Sequence, residues 1–142
     1  MSKPKSLTLA EMRAFIGRLA FNSHIGLHVA RVHPDGVTLE LRMREEFRNA
    51  HGTMHGGLLA TLADSAAGMA IHRVTGGTRK ITTVEMKINF FRPVAEDRAS
   101  ARARVIRAGN TLCVCTVEIH DAAGNLAGAA LVTYMILPPK TT

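Results

Sequence analysis

One segment near the middle of the chain concentrates the residue types that do chemistry. It runs Asn49-Ala50-His51-Gly52-Thr53-Met54-His55-Gly56-Gly57 and continues through Leu62-Ala63-Asp64. Two glycines at the start of a helix remove side chains just where backbone N–H groups are unpaired and the helix dipole is positive. Such a place stabilises developing negative charge, and the tetrahedral oxyanion of a thioester carbonyl is one candidate. The same glycines would equally serve close packing of a helix on a sheet. Gly57, Thr61, Asp64 and Gly68 follow at spacings of four, three and four, so they share one stripe of a helix. Every member of that stripe except Asp64 is small. A carboxylate placed there sits where a ligand, or another chain, comes close. A solvated surface charge is the plainer alternative, but the flanking residues 62–69 carry no other charge. His51 and His55 are four apart, yet Gly52 lies between them in a loop pattern and no third ligand is near, so no metal site is expected. Asn49 has the side chain to hold a water or a carbonyl, or to make an ordinary turn.

These residues need elements to position them. Leu58, Leu62, Ala66, Met69 and Ala70, widened by Leu59 and Ala63, give an apolar helical face from about His55 to Val74, and Thr75-Gly76-Gly77 stops it. Upstream, Thr8 and Glu11 form a capping-box pattern that opens a short amphipathic helix through about Phe21. Ile25 to His33 and Val37 to Arg44 read as a hairpin about the turn Pro34-Asp35-Gly36. Downstream, Val84, Met86, Ile88 and Phe90 alternate with Thr83, Glu85, Lys87 and Asn89. Strands are then expected over Ala99–Arg107, Thr111–His120 and Leu126–Leu137, divided by turns at 108–110 and 121–125. The order is helix, two strands, one long helix, four strands. Short turns make the sheet of about six strands mainly antiparallel, and one long helix against it is a two-layer α+β domain.

The 142 residues suffice for one domain. Residues 1–6 read as a disordered basic tail, 7–138 as the domain and 139–142 as a second tail. Apolar residues make up 46% and aromatic residues 4%, without Trp, so the core must come from aliphatic, Met and Ala side chains. The net charge of +7 is scattered and not interleaved with aromatics, which argues against nucleic acid and suits a phosphorylated small molecule. Cys113 and Cys115 read as small core residues, and a reducing cytoplasm is the expected compartment. No apolar run approaches the roughly 18 residues that cross a membrane, so no membrane partner is expected.

The sequence resembles the hotdog-fold thioesterases, and within them the phenylacetic-acid-degradation (PaaI-like) family. The resemblance rests on Asn49-x-His51-Gly52-Thr53-x-His55-Gly56-Gly57, on Leu62-Ala63-Asp64, on Phe91-Arg92-Pro93 and on a turn centred at Gly109. It covers roughly residues 20 to 137. It implies a central helix wrapped by a curved antiparallel sheet, and hydrolysis of an acyl-CoA with no cofactor. It implies a homodimer at least, or a tetramer of two dimers, with chains paired through their sheets and the site between them. Asp64 matches the catalytic carboxylate, as general base or nucleophile. Gly56 matches the N–H that polarises the thioester carbonyl. Asn49 would come from the partner subunit, and His55 would support the geometry by hydrogen bonding. Thr83 falls where some relatives carry a Ser that positions water. The small residues Gly57, Thr61 and Gly68 would leave room for the acyl chain. Relatives often carry a basic residue where Asn110 stands here, so the CoA phosphates would fall to Arg107 or Arg92, with Arg79 and Lys80 as further candidates. The rival expectations are a hotdog dehydratase or hydratase and a non-catalytic acyl-CoA-binding protein.

Overall fold

The computed structural model describes residues 2–138. The capping box forms as expected: Thr8 accepts from the Glu11 N–H, and the Glu11 carboxylate accepts from the Thr8 N–H. The helix it opens, α1 (Leu9–Gly17), is shorter than the pattern suggested. Gly17 disfavours its continuation, Leu19 turns extended, and a second short helix, α2 (Ala20–Ile25), follows. Gly26 ends α2 in the left-handed region at φ 77°. Ile25 is thus a buried helix residue, and the first strand, β1, starts later than expected, at His28–His33. The break lets Met12, Ile16 and Ile25 all reach the core.

A two-residue turn, Pro34-Asp35, leads into β2 (Gly36–Arg42). A single 3₁₀ turn (Glu45–Phe47) precedes the long helix α3 (Gly56–Thr75). Gly76, at φ 73°, closes α3, and the Leu7 N–H bonds the Arg73 carbonyl beside that end. The remaining strands are β3 (Ile81–Phe90), β4 (Arg98–Ala108), β5 (Leu112–Asp121) and β6 (Leu126–Ile136).

All six strands form one antiparallel sheet in the order β1-β2-β4-β5-β6-β3. β3 is therefore carried across to the outside of β6 and becomes an edge. The sheet curls around α3, whose residues Leu59, Leu62, Ala63, Ala66, Ala67, Met69, Ala70 and Ile71 are buried against it. The facing strands contribute Val37, Leu39, Leu41, Ala99, Ala101, Ala103, Cys113, Cys115 and Val117. So many alanines let helix and sheet approach closely. Both cysteines are free and fully buried.

Candidate active site

Asp64 lies midway along α3 and is half-buried. Two hydroxyl groups from the sheet hold it. Thr83 Oγ1 donates to Asp64 Oδ1 at 2.8 Å. Tyr134 Oη lies 2.8 Å from the same Oδ1 and 2.7 Å from the Asp64 backbone carbonyl oxygen. Among the described residues, Asp64 Oδ2 accepts no hydrogen bond. Burial pushes the Tyr134 phenol above its ordinary pKa, and the nearby Asp64 charge adds to the effect, so the phenol stays a neutral donor.

Thr83 and Tyr134 are cross-strand partners in β3 and β6. Strict alternation in β3 would put Thr83 with Glu85, Lys87 and Asn89 on the wet face, and Val84 inside. The ladder slips by one residue between Thr83 and Glu85 instead. Ile81 and Thr83 therefore share the inner face with Met86 and Ile88, opposite the buried Ile136, Tyr134, Val132 and Ala130. Val84 is turned out and 52% exposed. A bulge of this kind re-aims a side chain without ending the strand, and here it aims the Thr83 hydroxyl at Asp64. Gly68, one turn along α3 from Asp64, makes room for the phenol: a Cβ there would lie 2.9 Å from Tyr134 Oη. Tyr134 is the sole tyrosine of the chain. Its sequence context is an ordinary strand, and only the register reveals what it faces.

At its start, α3 is capped by His55. His55 Nδ1 accepts from the Gly57 N–H at 2.9 Å. The His55 N–H donates to Phe47 O and the Met54 N–H to Val94 O, which pins the loop. Among the described residues the Gly56 N–H donates to no acceptor. It stands free at the positive end of a twenty-residue helix. Phe90, at the far end of β3, packs its ring over Gly56, 3.6 Å from where a Cβ would be. Asn49 uses its side chain within its own loop: Oδ1 accepts from the His51 and Thr53 N–H groups, and Nδ2 donates to the Thr53 hydroxyl.

The Asp64 carboxylate and the Gly56 N–H are not together in one chain. Eight residues of helix place Gly56 and Asp64 about 12 Å apart along the axis. An oxyanion donor must lie about 3 Å from the carbonyl oxygen. The carboxylate at Asp64 and the N–H at Gly56 thus lie beside different ends of β3.

The small stripe also divides. Gly57 and Thr61 line a hollow with Glu46, Phe47, Arg48, His55 and Leu58. Gly68 lines a separate apolar cleft of about 190 Å³ with Ser65, Met69, Phe15, Leu19 and Ile81, under Tyr134. The basic residues divide too. Arg79 and Lys80 surround roomier hollows at the C-terminal end of α3, and Arg79 donates to Asn110 O. Arg107 lies in an adjoining hollow with Gly109 and Asn110. Arg92 is at the opposite end of β3, where its N–H bonds Ala127 O. Among the described residues no three His, Cys, Asp or Glu side chains converge as metal ligands.

Comparison with known proteins places this arrangement. The model of the thioesterase superfamily matches residues 51–135. Human acyl-coenzyme A thioesterase 13 is 36% identical over 92 residues, covering 63% of this chain and 64% of its own length. YigI of Escherichia coli, a medium/long-chain acyl-CoA thioesterase, is 24% identical over 137 residues, covering 86% of this chain and 88% of its own. The crystal structure of zebra fish thioesterase superfamily member 2 superposes with a TM-score of 0.83 at 28% identity, over 93% of this chain and 100% of that one. A Haemophilus influenzae thioesterase shares the fold at a TM-score of 0.85 and 21% identity, over 96% and 95% of the two chains. With a helix wrapped by an antiparallel sheet and a family match spanning most of that unit, the chain belongs to the thioesterase superfamily and has its hotdog fold.

Proposed function

We propose that the protein is an acyl-CoA thioesterase that hydrolyses an aryl- or medium-chain acyl-CoA to the free acid and coenzyme A. The observation that carries this reading is Asp64: a carboxylate fixed through one oxygen by two hydroxyls, its other oxygen unpartnered, in a chain of the thioesterase superfamily. The relatives named as acyl-CoA thioesterases support the substrate class.

The working site is shared between two copies. β3 is a ten-residue edge strand with Val84 and Phe90 exposed at 52% and 49%, and Phe91 just beyond it at 58%. A long edge strand with an unpaired backbone ladder invites pairing with a second chain. Antiparallel pairing of two β3 strands about a two-fold axis near Met86 and Lys87 would set Thr83 of one copy opposite the partner's Phe90. The partner's Gly56 lies under that ring, so its free N–H arrives near Asp64. Asn49, His55 and Gly56 then serve one thioester from one copy, while Asp64 and Thr83 serve it from the other.

In this site the Gly56 N–H binds the thioester carbonyl oxygen. As general base, Asp64 takes a proton from water while the water oxygen bonds to the carbonyl carbon. The negative charge moves to the carbonyl oxygen, where the N–H and the helix dipole stabilise it. Collapse of the tetrahedral adduct re-forms the carbonyl, breaks the C–S bond and releases the thiolate, which takes up the proton. As nucleophile, Asp64 would instead form a mixed anhydride that water then opens. Thr83 holds the carboxylate in place for either route. The acyl group takes the space beside Gly57, Thr61 and Gly68, and the CoA phosphates are held by Arg107 or Arg92, with Arg79 and Lys80 adjoining.

The test is thiol release from a panel holding phenylacetyl-CoA, a hydroxybenzoyl-CoA and straight-chain acyl-CoAs of increasing length. Release from one class, lowered about 10²- to 10⁴-fold in Asp64→Asn, is expected for loss of a general base. Turnover by Asp64→Asn at the wild-type rate would refute the role of Asp64.

A further inference from the structure

We propose that Tyr134 is a positioning residue for hydrolysis: its hydroxyl, with that of Thr83, fixes Oδ1 of Asp64 and so leaves Oδ2 as the reacting oxygen. The proposal rests on the reading of Asp64 as the group that carries hydrolysis.

A carboxylate on a helix has two chemically equal oxygens and rotates about its side-chain bonds unless something holds it. Here both donors reach one oxygen. Thr83 from the edge strand and Tyr134 from the next strand lie 2.8 Å from Oδ1. Tyr134 Oη is also 2.7 Å from the Asp64 carbonyl oxygen, so the phenol spans the side chain and the backbone of the same residue. A carboxylate tied in this way has one rotamer. Oδ2 is left pointing away from both donors, the only oxygen free to receive a proton from water or to attack a carbonyl.

The phenol itself is held rigidly. Tyr134 is 6% exposed and pairs with Thr83 on one side and Cys113 on the other. Its hydroxyl sits over Gly68, where any Cβ would crowd it. A buried tyrosine hydroxyl needs a partner in any fold, so a purely structural role has to be separated from a positioning one. The titratable groups facing this contact are Asp64 on α3 and Cys115 on β5, and burial pushes the Cys115 thiol up to about 12, so it brings no competing charge.

The experiment uses Tyr134→Phe, which keeps the ring over Gly68 and deletes only the hydroxyl. A donor lost from a charged acceptor corresponds to a fall in kcat of about 10- to 100-fold. KM should stay within about twofold, because the lost contact touches Asp64 and not the substrate. Thr83→Val should lower kcat in the same sense, and the double variant should lose less than the product of the two single losses, since both act through one oxygen. A second measurement does without Tyr134→Phe and uses an Asp64→Asn variant that melts as wild type does. Because the chain has one tyrosine and no tryptophan, its ultraviolet emission reports Tyr134 alone. A phenol bonded to a carboxylate is quenched, so Asp64→Asn should brighten that emission. Wild-type kcat in Tyr134→Phe with Asp64→Asn inactive would overturn the positioning role and leave the hydrolysis reading standing. Unchanged tyrosine emission in Asp64→Asn would equally overturn it. Wild-type turnover by Asp64→Asn would instead refute the hydrolysis reading itself.

Discussion

At the scale of single residues, half of the candidate site was legible and half was not, for a physical reason. Asp64, Gly56, Gly57 and His55 lie within one stretch of chain, and helix geometry converts their spacing directly into a placement. Tyr134 and Thr83 reach Asp64 from strands 70 and 19 residues away in sequence. Thr83 entered only through the family resemblance, as a residue that positions water, and Tyr134 not at all; the approach of both depends on a one-residue slip in β3 that no local pattern marks. Asn49 was legible only as a choice between two uses, and within one chain its amide orders its own loop. The residue scale also carries a practical prediction. Cys113 and Cys115 are fully buried, and burial pushes the Cys115 thiol up to about 12. Thiolate is the reactive form, so a thiol-reactive dye should leave both cysteines unlabelled in native protein and label two thiols per chain in denaturant. Labelling of two thiols in native protein would contradict the burial. A raised thiol pKa stabilises the fold fully below the unfolded value, and that contribution is lost as pH climbs from the unfolded value towards about 12.

At the scale of elements, the order of helices and strands was readable because the apolar period changes cleanly from 3.6 to 2 and turn residues mark each change. The N-terminal helix was not readable as two, because Gly17 and the extended Leu19 interrupt a pattern that otherwise continues. Two elements make sharp predictions. Gly36 opens β2 against β4 so closely that a Cβ would lie 2.0 Å from the Ala103 carbonyl oxygen. Gly36→Ala should therefore destabilise the fold by about 1–3 kcal/mol, the cost of overpacking, seen as a lower melting temperature. An unchanged melting temperature would show that the strands separate freely there. Where α1 meets α3, His72 packs at a tilt on Phe15 with ring centroids 4.6 Å apart, and among the described residues its buried Nδ1 has no hydrogen-bond partner. Burial lowers its pKa. The unfolded chain then binds a proton below about pH 6.5 that the folded chain takes up only at lower pH, so stability falls as the pH drops through that window. His72→Phe should shrink the difference in melting temperature between pH 7.5 and pH 5. It should not abolish it, because burial also lowers the pKa of His33.

At the scale of the whole molecule, the topology supports the proposal that two copies build the site. Carrying β3 to the sheet edge puts the bulge that aims Thr83 on the outermost strand. The same strand ends with Phe90 over Gly56. The Asp64 carboxylate and the Gly56 N–H therefore lie along one edge, about 12 Å apart along α3, and the proposed two-fold axis across that edge would bring one copy's carboxylate to the other copy's N–H. In the sequence, the site between paired chains entered only through the family resemblance; the residue pattern alone read the free N–H and the carboxylate as parts of one site, and the edge position of β3 and its bulge were not visible. The central claim is that a single thioester is served by the Asp64 carboxylate of one copy and the Gly56 N–H of another. It is tested most directly by co-expressing two inactive variants, Asp64→Asn and Gly56→Pro. Proline suits the first position of a helix and deletes the N–H, and His55, at φ −56° and ψ 132°, already has the extended backbone that precedes proline. In a mixed dimer one site carries both defects and the other carries none. The account predicts that the freely mixed pair recovers about a quarter of the wild-type rate of thiol release, the fraction of intact sites when copies combine at random. A mixture as inactive as either variant alone would contradict it.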